Sequence, residues 1–92
     1  MKVNFNVAFI DHNGNEMKES VKETVCQYLF VGQGLKDDGD LASKKYKAYK
    51  LMRRIADAED EVEIEDTESL LIKEVCGTLA AGAYGQIIEL LK

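Results

Sequence analysis

Ninety-two residues make a single domain (1–92), near the size at which apolar burial only modestly exceeds the entropy lost on ordering the chain, so self-association would help it. With 46% hydrophobic and 32% charged residues the composition is globular and excludes a disordered tail. A net charge of −5 and a pI near 4.8 argue against a general affinity for phosphate backbones and favour protein partners. No apolar run reaches about 18 residues and no basic, apolar, small-residue signal opens the chain, so a cytoplasmic protein without membrane contact is expected.

In chain order, Val3, Phe5, Val7 and Phe9 alternate with Asn4, Asn6 and Ala8, the period-two pattern of a strand that covers a core on one face. Asn13-Gly14 suits a type I′ turn, which predicts a hairpin returning through Glu16 to Lys18. Ser20 and Glu23 have capping-box spacing, and Val21, Val25, Tyr28 and Leu29 then recur on one helical face until Gly32 and Gly34. The segment GQGLKDDGD reads as an exposed loop ending in Asp40, an expected N-cap.

A second helix is expected over 41–58, with Leu41, Ala48, Leu51, Met52 and Ile55 on one stripe and Lys47, Lys50, Arg53 and Arg54 opposite. The sign of charge then reverses: Glu59, Asp60, Glu61, Glu63, Glu65, Asp66 and Glu68 surround Val62 and Ile64, and EVEIE reads as a short strand. Asp66 or Thr67 would cap a third helix carrying Leu70, Leu71, Val75 and Leu79. A small-residue stretch leads into a fourth, carrying Tyr84, Ile87, Ile88 and Leu91. The expected fold is α+β: an N-terminal β-hairpin, with or without the 61–65 strand beside it, packed against three or four helices.

Few residues invite chemistry. DHNGNE lacks the sixth-position glycine and twelfth-position acid of a calcium loop, and DDGD at 37–40 reads as a loop and helix cap. His12 falls in the predicted turn with no nucleophile near it in sequence. Cys26 and Cys76 are far apart at apolar positions, unlike a metal-binding pair, and read as reduced buried thiols. Gly77 and Gly82 have P-loop spacing but are followed by Ala83 and Tyr84 rather than lysine and a hydroxyl residue. No catalytic, metal or cofactor-binding residue is therefore assigned, and no enzyme is expected. The glycines and alanines of GTLAAGAYG read instead as a close-packing corner, inside the monomer or between subunits, since each glycine in a helix costs roughly 1 kcal/mol without an offsetting contact.

The basic helix is the main candidate surface. Tyr46, Lys47, Lys50, Arg53 and Arg54 form a candidate face for a protein partner; Gly82, Ala83 and Gly85 form a candidate self-association face of a small homo-oligomer. Other readings of the same residues remain open. Aromatic stacking with cations would suit single-stranded nucleic acid. The acidic run could instead neutralise the basic helix within one chain or across a dimer, or could itself mimic nucleic acid and inhibit a host defence protein. A small-molecule site would need an enclosed pocket, for instance near Tyr84 at a subunit junction.

The order of the strand and IDHNGNEM turn, YKLMRRI at 49–55, EVEI at 61–64, LLIKEV at 70–75 and GQIIELL at 85–91 resembles a widespread group of small bacteriophage and prophage proteins. The resemblance covers most of the chain. It implies a phage or mobile-element accessory protein in the host cytoplasm and carries over no enzymatic residue. The run TLAAGAYG departs from the bulkier, often proline-containing run of that group, which implies a different C-terminal packing.

Overall fold

A computed structural model describes residues 1–92. The chain is α+β, with β1 (Lys2–Asn4), β2 (Ala8–Ile10), β3 (Glu16–Ser20), α1 (Val21–Val31), α2 (Leu41–Asp57), β4 (Glu61–Glu63), α3 (Asp66–Val75) and α4 (Ala81–Leu90). The strands form two separate antiparallel pairs, β1 with β4 and β2 with β3. The single strand expected from Val3 to Phe9 is therefore divided. At the break the Asn6 N–H donates to Asn4 Oδ1 (2.9 Å) and the Val7 N–H donates to Phe5 O (2.9 Å). A short asparagine side chain competes with the ladder for backbone donors, and Val7 is left 39% exposed while Val3, Phe5 and Phe9 are buried.

The two halves go different ways. β1 pairs Val3 with Val62 and Asn4 with Glu61, whereas β2 pairs Ala8 with Ser20 and Ile10 with Glu16 across an irregularity. The 61–65 strand thus does not extend the hairpin; it makes its own sheet with β1. The hairpin turn is also not type I′, which needs positive φ at both central residues. Only Gly14 is left-handed, at φ 87°, and Asn13 is not. Asp11 organises the turn instead, because its Oδ1 accepts from the N–H groups of both Asn13 and Asn15 at 2.9 Å.

The helix ends follow local chemistry. Ser20 caps α1 by accepting from the Glu23 N–H at 3.1 Å, and Gly32, at φ 71°, ends it in the left-handed region. Asp40 caps α2 through the Ser43 N–H at 3.1 Å. The N-cap of α3 is Glu65, one or two residues earlier than Asp66 or Thr67, and its N–H donates to Glu68 Oε1 at 3.0 Å. That register buries Leu71, Ile72 and Val75 and turns Leu70 out to 55% exposure, against the expectation that Leu70 faced the core.

α1 packs chiefly on α2, and α3 lies against both. Val25 and Leu29 of α1, Ala48, Leu51 and Ile55 of α2, and Ile72 and Val75 of α3 meet in one apolar core, closed by Phe5, Ile64 and Ile87. α4 is joined to the hairpin by a side chain that imitates a strand. Gln86 Oε1 accepts from the Ile10 N–H (2.8 Å) and its Nε2 donates to Ile10 O (2.9 Å), closing the outer edge of β2.

Within the chain, the small-residue cluster on α4 makes no close approach. A Cβ added at Gly82 or Gly85 would meet nothing within 4 Å, and at Gly77 only ordinary contacts at 3.5 Å. The tight approach within the chain is at Gly34, where a Cβ would lie 2.8 Å from Glu74 O. With its helical backbone and open surroundings, Gly85→Ala is expected to raise stability by about 1 kcal/mol, read as a higher urea midpoint. A fall would reveal a contact between copies.

Candidate partner-binding face

α2 spans 17 residues and buries Ala48, Leu51, Met52 and Ile55. This fixes the opposite face as Tyr46, Lys50 and Arg53, with Lys47 and Arg54 on the side toward α3. Between α2, α3 and the loop before α2 runs an open cleft of about 680 Å³, whose lining includes Lys44, Lys47, Lys50, Arg54, Glu68 and Glu74, with only Leu70 and Leu71 hydrophobic. Tyr84 lines neither this cleft nor the smaller cavity beside Tyr28 and Val31.

The cations of α2 have two different fates. Arg54 is tied to α3: its guanidinium pairs with Glu68 (Nη2 to Oε1, 3.2 Å) and also donates to Glu63 O. Lys44 is tied at the other end, with Nζ 2.9 Å from Glu74 Oε1 and 2.8 Å from Lys36 O, and Asp38 3.6 Å away. Burial pushes the Glu74 carboxyl up, but the Lys36 N–H and the Lys44 ammonium outweigh it and hold the pKa below its usual 4.5. Glu68 behaves alike: burial raises it, and Arg54 and the Glu65 N–H lower it further. The Glu74 hydrogen bond in turn raises the pKa of Lys44.

These carboxyls bind fewer protons in the folded chain than in the unfolded one, so the stabilisation is complete above the unfolded value and is lost as pH falls through the lowered folded values. Glu68→Gln combined with Glu74→Gln is expected to lower the urea midpoint at neutral pH, and the loss is expected to shrink as pH falls through the lowered folded values and the wild-type carboxyls take up their protons. Equal losses at both pH values would show that ionisation contributes nothing.

Lys45, Lys47, Lys50 and Arg53 are exposed and form no ion pair. Two of them rest on tyrosines one turn away. Lys50 Nζ lies 4.8 Å from the Tyr46 ring centroid, and Arg53 Nη1 donates to Tyr49 Oη at 3.1 Å. Tyr46 and Tyr49 are 61% and 42% exposed. Of the five residues expected on the binding face, Tyr46, Lys47, Lys50 and Arg53 are thus free for a partner and Arg54 is engaged within the chain. Tyr49 was not among them, although its i,i+4 spacing to Arg53 is the signal that finds it.

Gly82, Ala83 and Gly85 lie on α4, which contributes nothing to the cleft. Glu68, the last acid of the run, is only 17% exposed and faces Arg54, whereas Glu59, Asp60, Glu61, Glu63, Glu65 and Asp66 are exposed. Cys26 and Cys76 are free thiols; burial raises both, Cys76 to about 11, which keeps that thiol protonated at neutral pH. No three His, Cys, Asp or Glu side chains gather as a metal site, and no helix is long and apolar enough to cross a membrane. Compared with protein-family models, with curated proteins and with solved structures, the chain gives no match in any of the three.

Proposed function

We propose that this protein is a non-enzymatic binding module that engages another protein through the outward face of α2, centred on Tyr46, Lys47, Lys50 and Arg53. In the setting its sequence resemblance implies, it is an accessory protein of a phage or mobile element. One observation carries the reading. In a chain of net charge −5, four neighbouring cations of α2 make no ion pair while Lys44 and Arg54 of the same helix do. Cations with tyrosines held beside them supply both long-range attraction and apolar contact area, the combination common in protein-binding surfaces.

The test is capture of partners by the immobilised chain. Lys50→Glu with Arg53→Glu is expected to reduce capture at least about tenfold, since like charges across an interface cost several kcal/mol, and to leave the melting temperature within a few degrees. Undiminished capture with a folded double variant removes this face. Nucleic acid bound in place of protein would appear as an affinity that falls steeply with salt.

A further inference from the structure

The free cations of α2 form an island. From Lys45 to Arg53 the helix advances about 12 Å, and no acidic residue interrupts that span. Asp37, Asp38 and Asp40 stand before it, and Asp57, Glu59, Asp60 and Glu61 follow it; all seven are exposed. At physiological salt a charge is felt over about 8 Å. Asp38 is partly answered by Lys44 at 3.6 Å, but Asp40, the N-cap of α2, and Asp57, its last residue, lie within about 8 Å of the patch along the helix axis, so a ligand that overruns the patch meets acidic side chains at either end.

Resting on the reading of α2 as the binding face, we infer that its partner is a protein segment bearing a short acidic block flanked on both sides by basic residues, with apolar side chains that pack on Tyr46 and Tyr49. An acidic block of two to three helical turns spans the island. Its basic flanks meet the aspartates and glutamates at the two ends. A uniform polyanion, whether a nucleic-acid strand or a long acidic tail, fits the centre but overruns into like charge at both ends, and that repulsion selects against it. Lys44 and Arg54, already paired to Glu74 and Glu68, border the island and hold α2 against α3, so the patch is presented on a fixed support.

Two fluorescein-labelled helical peptides of identical composition and net charge test the pattern. One carries a central glutamate block between lysine flanks, with leucines on one face, and the other carries a central lysine block between glutamate flanks. A single-stranded oligothymidylate is the third probe. Fluorescence anisotropy is expected to show the glutamate-centred peptide binding at least about tenfold more tightly than its inverse and than the oligonucleotide. Lys50→Glu with Arg53→Glu should abolish that difference.

Equal affinity of the two peptides, tighter binding of oligothymidylate, or no binding of the glutamate-centred peptide at about 1 mM, a concentration at which even weak complexes form, overturns the inference. If peptide binding or partner capture is still lost in the double variant, α2 remains the binding face and only the charge pattern is wrong. If neither responds to the double variant, both readings fail.

Discussion

Gly34→Ala is expected to destabilise the chain by about 3 kcal/mol, combining a left-handed residue that now carries a Cβ with an overpacked contact. Gly34 has φ +99°, and a Cβ there would lie 2.8 Å from Glu74 O and 3.6 Å from the Cα of Val75. Both neighbours are backbone of a packed helix, so neither yields as a flexible side-chain tip would. The loop is held to this place by the Glu74 side chain, which accepts from the Lys36 N–H at 2.9 Å, and by Leu35, which packs against the core. For a chain of this size the loss corresponds to a melting temperature lower by roughly 12–24 °C. Gly39→Ala is the matched control: its φ is +123° but its Cβ would meet nothing within 4 Å, so only the backbone strain of about 1–2 kcal/mol is expected. Equal effects at the two glycines would show that the loop does not press on α3.

Ile64→Ala is expected to cost about 3 kcal/mol, in the range found for large-to-small changes at sites that cannot collapse around the cavity. Ile64 is 1% exposed and lies directly after β4. Its N–H donates to Met1 O at 2.7 Å and its carbonyl accepts from the Met1 amine at 2.9 Å. The backbone thus ties the β1–β4 pair together while the side chain fastens that pair to the helices. Ile64→Val keeps most of the volume and should cost only about 1 kcal/mol. Val62, half-buried opposite Val3, should tolerate Val62→Ala with a smaller loss than Ile64→Ala. Urea unfolding followed by far-ultraviolet circular dichroism orders the three variants; a loss at Val62 equal to that at Ile64 would place the weight of this segment in its strand pairing rather than in the core.

The features legible in the sequence were those fixed within a few residues. Ser20 and Asp40 cap their helices, Gly32 ends one, and Ala48, Leu51, Met52 and Ile55 make the buried stripe of α2, because capping and helical periodicity are short-range rules. The strand at 61–63 was visible in EVEIE for the same reason. Its pairing was not, because a period-two run from Val3 to Phe9 is satisfied equally by one long strand or by two short ones, and the choice depended on Asn4 and Asn6. Glycines were ambiguous in another way. Clustering singles out Gly82 and Gly85, yet the close approach within the chain is at Gly34, in a loop whose neighbour Glu74 is forty residues away in sequence.

The candidate face was legible as a charged stripe but not residue by residue. Arg54 and Arg53 are adjacent and chemically alike; one turns toward Glu68 and is neutralised, while the other turns outward to Tyr49. That difference follows from the position of α3, which no local pattern encodes.

The division of the N-terminal segment has a consequence for synthesis. β1 pairs with a strand about sixty residues later, so at translation speeds of about 5–20 residues per second it waits several seconds for its partner, while β2 can pair with β3 almost at once. During that interval the hairpin and α1 can form locally, but Val3 and Phe5 have no β4 to complete their surroundings. The closing step brings β1 to β4, so conditions that slow elongation between α1 and β4 lengthen the time for which those two apolar side chains are open to capture by chaperones or by other chains.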